Sequence, residues 1–146
     1  MQVRSADVDD VPQLAALRAQ WREQESSAQF VAAYRDWFVR EAAVRWWWLA
    51  VDGPAAIGMV NLKMFDRMPS PGRPPSRWGY LANLYVVPEH RDAGVGTALL
   101  TALVDRARAE GLVRIVLSPS EQAAPLYARF GFRPATDLML LPLENG

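Results

Sequence analysis

A short glycine-containing segment between an apolar run and a helical run constrains this chain more than any other feature. Residues 91–97 read Arg-Asp-Ala-Gly-Val-Gly-Thr; the apolar run of residues 81–87 precedes them, and a helical pattern begins near Val95. Glycine lets the backbone turn freely and lets a ligand approach closely. The first turn of a helix offers unpaired N–H groups and a partial positive charge to an anion. This order of strand, loop and helix predicts a phosphate-binding cradle.

Composition limits the possible partners. The 146 residues suit one domain, residues 1–146, with a single core. The 16 basic and 16 acidic side chains cancel, which argues against a broad nucleic-acid-binding surface. The chain has no cysteine and one histidine, His90, so we expect no disulfide, no cysteine nucleophile and no metal site. His90 follows Pro88 and Glu89, and we interpret it as a solvated loop residue rather than a general base.

Targeting signals are not apparent in the sequence. The first residues lack the apolar core of a signal peptide, and no apolar run approaches the ~20 residues that span a bilayer. We therefore expect a cytoplasmic protein that does not bind membranes.

Hydrophobic periodicity and turn residues predict a mixed α/β domain built around one sheet. Asp52-Gly53 predicts a hairpin, and four prolines within residues 66–77 predict an irregular loop. The predicted helices cover residues 8–22, 28–44, 95–110 and 121–129, and the predicted strands cover residues 2–4, 46–51, 56–65, 78–87, 112–117 and 138–143. The continuous apolar run of residues 112–117 is typical of a buried strand.

Two motifs resemble the GCN5-related N-acetyltransferase (GNAT) family. Residues 84–100 contain the strand, the Arg-x-x-Gly-x-Gly loop and the helix of that family's acetyl-CoA-binding segment. Residues 124–132, Ala-Pro-Leu-Tyr-Ala-Arg-Phe-Gly-Phe, resemble its later segment, where a tyrosine precedes Gly-Phe. The resemblance covers nearly the whole chain. It implies a central mixed, mostly antiparallel sheet that is flanked by helices, with strands splayed at the acetyl-CoA site.

The resemblance further implies that acetyl-CoA is the acyl donor and that no metal takes part. Backbone N–H groups of the loop would wrap the pyrophosphate, and a Cβ at Gly94 or Gly96 would crowd the phosphates or strain the turn. The strand before the loop would carry a bulge, so that its exposed backbone pairs with pantetheine and an N–H near Val86 faces the thioester oxygen. Ser120 stands where many members carry asparagine. The implied cofactor-binding residues are Tyr85, Val86, Val87, Arg91, Asp92, Ala93, Gly94, Val95, Gly96, Thr97 and Ser120.

Two residues are the implied catalytic groups. Tyr127 resembles the family's general acid, but a tyrosine pKa near ~10 exceeds a thiol pKa near ~8.5, so a hydrogen bond to sulfur is the alternative role. Some members carry a glutamate in the strand before the loop, whereas residues 78–87 contain no carboxylate. We predict that a water relayed by Asn83, or by backbone carbonyls, takes the proton of the amine.

The resemblance implies that the second helix borders the acceptor site, so aromatic residues of that helix are candidates for the amine-acceptor pocket. Phe30, Tyr34 and Trp37 share one face of that helix, and Tyr80 is a polar candidate on the strand before the loop. Packing is the competing interpretation of the helix residues. Alternation along a strand places Trp46 and Trp48 on one face of the sheet and Trp47 on the other.

The sequence therefore predicts an acetyl-CoA-dependent N-acetyltransferase in which a primary amine attacks the thioester directly in a ternary complex. We expect a small-molecule amine as the acceptor. The resemblance is also compatible with a homodimer. Three alternatives remain: acetylation of a protein N-terminus or lysine, a non-catalytic CoA-binding sensor, and a dinucleotide-binding domain. The last is disfavoured because the loop lacks the third glycine of that fingerprint.

Overall fold

A five-stranded sheet with helices on both faces forms the body of the chain. The structure is a computed structural model that describes residues 1–144. The strands are β1 (Gln2–Ser5), β2 (Arg45–Asp52), β3 (Ala55–Asp66), β4 (Arg77–Val86) and β5 (Ile115–Val116), and the helices are α1 (Val11–Trp21), α2 (Ala28–Glu41), α3 (Val95–Ala109) and α4 (Ala124–Phe130). The strands lie in the order β1-β2-β3-β4-β5. β1 to β4 pair antiparallel, and β5 joins β4 in parallel.

The register of the sheet assigns its two faces. Trp47 lies opposite Asn61, and Asn61 lies opposite Ala82; this face packs against α2, where the ring of Phe38 stacks on Trp47 at 3.8 Å. Trp46 is on the other face, with the Arg106 guanidinium of α3 at 4.0 Å from its ring. The expected alternation of the three tryptophans is therefore confirmed.

The short 3-10 turn Val8–Asp10, which leads directly into α1, is fixed by a capping box. The side chain of Asp7 accepts from the N–H of Asp9 at 2.9 Å, and Asp10 Oδ2 accepts from the N–H of Asp7 at 2.9 Å. Arg4 of β1 adds a bidentate ion pair to the nearly buried Asp10, with distances of 2.8 and 2.7 Å. Hydrogen bonds from Arg4 outweigh burial and lower the pKa of the Asp10 carboxyl.

Asp10→Asn is expected to lower the free energy of unfolding at pH 7 by about 1–2 kcal/mol, because one charge-assisted contact to the partly exposed Arg4 is lost. The folded-state pKa lies below the unfolded value, so this stabilisation is present above about pH 4 and is lost as the pH falls through the folded-state pKa. Urea unfolding at pH 7 and pH 3 measures the difference. Asp9→Asn, which removes an equal charge from the same turn, is the control. An equal loss for Asp10→Asn at both pH values contradicts the assignment.

The C-terminal third departs from the sequence prediction. β5 covers two half-buried residues instead of 112–117 and lies at the sheet edge, and Val113, which precedes it, is 47% exposed. It pairs with β4 on one side only, so the prediction of a buried strand was wrong. The predicted strand at residues 138–143 is also wrong, because these residues are irregular and have no strand partner. Their apolar side chains are 65–100% exposed at Leu138, Met139, Leu140, Leu141 and Leu143.

α3 supplies the core of the second face of the sheet. Leu99, Leu100 and Leu103 are fully buried, and Leu99 and Val95 approach the backbone of Gly58 so closely that a Cβ there would meet them at 3.1 and 3.2 Å. This contact fixes the first turn of α3 against β3 and therefore fixes the loop before it. Within residues 1–144, no helix has the length and apolarity needed to cross a membrane.

Candidate active site

β4 contains the bulge that the resemblance implied. Met59 pairs with Tyr85 and Asn61 pairs with Ala82, so β4 uses one more residue than β3 over this stretch. Asn83 absorbs the extra length with a φ of 61°, in the left-handed region that asparagine tolerates better than most residues. A bulge re-aims the side chains around it and increases the local twist. Asn83 consequently leaves the regular pleat at the middle of the sheet.

β4 and β5 separate beyond their first contacts. They pair at Gly79 and Tyr80 only, although β4 continues to Val86. The Tyr80 hydroxyl donates to Ser118 Oγ at 3.0 Å just past the last pair. From there on, no other strand of the described chain pairs with this edge of β4.

The backbone of Val86 points to this open edge. Val87 donates its N–H to Ile57 O of β3 at 2.9 Å, and successive residues of a strand direct their backbone groups to opposite sides. Val86 therefore turns its N–H and C=O away from β3, and Arg91 Nε reaches Val86 O at 2.9 Å. Val87, by contrast, has its N–H engaged by β3. Tyr85 packs its buried ring on Trp21, with centroids 5.5 Å apart.

The loop after β4 presents the start of α3. Asp92 and Gly94 adopt φ values of 60° and 85°, and a left-handed turn at Gly94 is accessible to glycine at little cost. The first helical bond runs from Ala98 N to Gly94 O at 3.0 Å. The N–H groups of Val95, Gly96 and Thr97 therefore have no acceptor within the helix, and Gly94 has no side chain to cap them.

The other loop side chains differ in their contacts. Ala93 and Thr97 are exposed, whereas the Val95 side chain is buried in the core, so only its backbone is available. Arg91 uses its Nε for Val86 and lies over the ring of Tyr85 at 5.7 Å. Arg91 therefore ties the loop to β4 in addition to any contact with an anion. His90 ends a short 3-10 turn, Pro88–His90.

The two glycines of the loop have different roles. A Cβ at Gly94 would meet nothing within 4 Å, so its positive φ alone explains the glycine. A Cβ at Gly96 would lie 2.8 Å from Leu126 Cδ2 of α4. Close approach of α4 to the first turn of α3 therefore favours a small residue at Gly96, because a larger one would displace the Leu126 side chain. The sequence interpretation placed this crowding at the phosphates, and the contact with α4 is an additional cause.

Tyr127 follows Leu126 on α4 and is 7% exposed. Its ring packs edge-on against Phe132 at 5.6 Å, and burial raises the pKa of the hydroxyl to about 12. At neutral pH the group is a protonated hydrogen-bond donor. Ser120 precedes the same helix, and its hydroxyl accepts from the Ala123 N–H at 3.2 Å.

Three of the four predicted acceptor residues line one cavity of about 300 Å³ together with Asn83. Phe30, Tyr34 and Trp37 form a chain of edge-on ring contacts along α2, with centroids 6.1 and 5.3 Å apart. Tyr80 does not line this cavity. The remaining lining residues are Arg18, Ala33 and Met59. Sequence reasoning missed Arg18, although its spacing from Val11, Leu14 and Trp21 places an arginine on the apolar stripe of α1.

A polar cluster lies beside this aromatic face. Glu41, the last residue of α2, accepts from Arg45 Nε and Lys63 Nζ, both at 3.3 Å, and Arg45 also donates to the buried Asn61 Oδ1 at 2.6 Å. Burial raises the pKa of Glu41, but its contacts with Lys63 and Arg45 outweigh burial and leave it lowered. A carboxylate engaged by two cations stays charged, and we assign it to structure rather than to proton transfer.

Comparison with known proteins gives consistent results. A model of the acetyltransferase (GNAT) family matches residues 11–132. A glucosamine 6-phosphate N-acetyltransferase of Trypanosoma brucei brucei is 31% identical over 87 residues, which are 60% of this chain and 57% of that enzyme. The match therefore spans little more than half the length of that relative.

Solved structures resemble the whole fold. A predicted acetyltransferase with acetyl-CoA from Clostridium acetobutylicum has a TM-score of 0.80 at 24% identity and matches over 97% of this chain and 96% of its own. A GCN5-related N-acetyltransferase from Ralstonia eutropha JMP134 has a TM-score of 0.74 at 30% identity, with 97% of each chain covered. The family match includes both sequence motifs, and the chain belongs to the acetyltransferase (GNAT) family.

Proposed function

We propose that this chain transfers the acetyl group of acetyl-CoA to a primary amine of a small molecule, by direct attack of the amine in a ternary complex. One observation supports the proposal: the segment of β4 at its bulge connects the aromatic cavity with the open edge of the strand. Asn83 lines the aromatic cavity, and three residues later Val86 turns its backbone to the open edge that leads into the glycine loop. An acceptor and an acyl donor on either side of this strand segment would meet at the bulge.

The residues present fit acetyl-CoA. The unpaired edge of β4 offers backbone groups to the amides of pantetheine, as an added strand would. The free N–H groups at the start of α3 suit a pyrophosphate. When bound, acetyl-CoA supplies the acetyl group as an activated thioester.

The chain's own groups then have distinct tasks. The N–H of Val86, which faces the open edge of β4, would donate to developing negative charge on the carbonyl oxygen. Tyr127 holds its proton at neutral pH and would donate a hydrogen bond to the sulfur that leaves. Among residues 1–144, no carboxylate lines the cavity. In this proposal a water held by Asn83 or by backbone carbonyls accepts the proton of the attacking amine. A cavity of about 300 Å³ is at the small end of ligand pockets, which supports a small acceptor.

Release of the CoA thiol tests the proposal. Purified protein with acetyl-CoA is assayed against a panel of small amines, a lysine-containing peptide and a peptide with a free N-terminus. Thermal shift with acetyl-CoA, NAD and ATP runs in parallel. Turnover with a small amine supports the proposal. Turnover of peptides alone indicates a protein acceptor, tight acetyl-CoA binding without turnover indicates a sensor, and stabilisation by NAD alone indicates a dinucleotide-binding domain.

The pH–rate profile is expected to show one rising limb that belongs to the amine. A neutral amine is required, so kcat/KM rises with pH until the acceptor is deprotonated. Because the pKa of Tyr127 is about 12, its deprotonation adds no falling limb up to about pH 10. Initial rates between pH 3.5 and pH 10 with two amines of different basicity measure this. An additional limb near ~4–5, the range of a carboxyl pKa, would contradict proton transfer through water.

A further inference from the structure

Seven residues of the described range 1–144 line the aromatic cavity, and Arg18 is the only charged one among them. Within this range the lining therefore supplies one cation and no anion. Among residues 1–144, no carboxylate lies within 4.0 Å of the Arg18 guanidinium, whereas Arg4, Arg45 and Arg77 each pair with one. A polycationic acceptor finds no partner in such a cavity, and an anionic group does.

Arg18 is also held in place. Its guanidinium lies over the ring of Trp21 at 4.8 Å, a cation–π distance. Trp21 itself stacks on the buried Tyr85 at 5.5 Å. This stack connects the arginine to β4 and restrains its long side chain, which lowers the entropy lost when it binds an anion.

The rest of the lining is apolar and aromatic. Phe30, Tyr34, Trp37 and Met59 form most of the wall. Tyr34 is neutral at physiological pH because burial raises its pKa to about 12 despite the nearby charges of Arg18 and Arg45. These surfaces favour contact with an apolar carbon skeleton.

We infer that the acceptor is a primary amine on an apolar, preferably aromatic, skeleton that also carries a carboxylate or phosphate-type anion, and that Arg18 binds this anion. The inference rests on the proposed acetyl transfer. In that reaction the amine nitrogen forms the bond to the acetyl carbon, the carbon–sulfur bond breaks, and the nitrogen loses one proton as the thiol is formed. Arg18 acts on the anion, away from the reacting atoms, and is therefore a specificity residue.

Three matched amines test the class. L-Phenylalanine, its aminophosphonate analogue and 2-phenylethylamine share the ring and the amine and differ in the anion. Spermidine and glucosamine 6-phosphate test a polycation and a polar skeleton. We expect kcat/KM to be about 10- to 100-fold higher for at least one of the two anionic phenyl compounds than for 2-phenylethylamine. The two anionic compounds distinguish carboxylate from phosphate recognition.

Arg18→Gln is expected to remove this preference. It should lower kcat/KM about 10- to 100-fold for the preferred anionic compound and less than threefold for 2-phenylethylamine. For each amine we compare kcat/KM of the wild type with that of the variant. Differences in basicity between the amines cancel in this ratio. Arg22→Gln removes an equal charge from the exposed end of α1, outside the cavity, and should leave both values unchanged. Thermal shift with acetyl-CoA confirms that each variant is folded.

The outcomes separate the inference from the proposed function. A preference for 2-phenylethylamine or spermidine overturns the inference and leaves acetyl transfer intact. Equal losses for the anionic compounds and for 2-phenylethylamine in Arg18→Gln also overturn it. Turnover of glucosamine 6-phosphate without turnover of the phenyl compounds overturns the inference that the acceptor has an apolar skeleton. Absence of CoA release with every amine overturns both proposals.

Discussion

Tyr127→Phe is expected to lower kcat by about 10- to 100-fold while the Kd for acetyl-CoA changes less than threefold. A hydrogen bond to a charged group contributes about 1.5–3 kcal/mol, which corresponds to this range of rates. Tyr127 is buried as a residue, and burial raises the pKa of its hydroxyl to about 12. This pKa exceeds that of a thiol by about 3.5 units, which corresponds to about 5 kcal/mol. Complete proton transfer to the thiolate is therefore unfavourable, and we expect hydrogen bonding to dominate.

Steady-state kinetics and acetyl-CoA binding measured on the same preparation test this expectation. Tyr80→Phe is a matched control, since its hydroxyl is engaged by Ser118; its kcat is expected to change less than threefold. A Tyr127→Phe enzyme with wild-type kcat removes Tyr127 from the reaction. A raised Kd with unchanged kcat would instead make Tyr127 a binding residue.

Local signals predicted the parts of the fold and site that short segments determine. The segment from β4 through Gly94 to the buried stripe of α3 is determined by residues that are close together in the sequence. The structure contains each of these elements at the predicted place. The aromatic stripe of α2 was likewise visible from helical spacing, and Phe30, Tyr34 and Trp37 indeed line one cavity. Periodicity reports which side chains share a face.

Features that depend on distant partners were not predictable in the same way. Residues 138–143 have the apolar composition of a strand, but a strand forms only when another strand supplies hydrogen bonds, and composition does not report that partner. Arg18 comes from α1 and Asn83 from the bulge of β4, and only the packed sheet brings them into one cavity. The contact of Gly96 with Leu126 joins residues thirty positions apart.

Gly96→Val is expected to raise the Kd for acetyl-CoA at least tenfold and to lower kcat. The valine would disturb both the N–H groups at the start of α3 and the position of α4, which carries Tyr127. A Cβ at this position would lie 2.8 Å from Leu126 Cδ2, and a valine adds two further methyl groups. Overpacking of this kind costs about 1–3 kcal/mol. The strain would move the first turn of α3, with its free N–H groups, away from α4 and Tyr127. Gly96→Ala is expected to change Kd less than threefold, since the Leu126 side chain can rotate.

The double variant Gly96→Val/Leu126→Ala identifies the cause of the loss. If α4 is the obstacle, truncating Leu126 creates space and restores most of the acetyl-CoA affinity relative to Gly96→Val; the non-additive free energy of the mutant cycle measures this coupling. Gly94→Ala is the control, because its cost comes from a φ of 85° with no atom within 4 Å of the new Cβ, and Leu126→Ala should not rescue it. Isothermal titration with acetyl-CoA gives each Kd. If Leu126→Ala leaves the Gly96→Val defect unchanged, the valine crowds the phosphates instead, and the loop glycine is required for the cofactor rather than for the packing of α4.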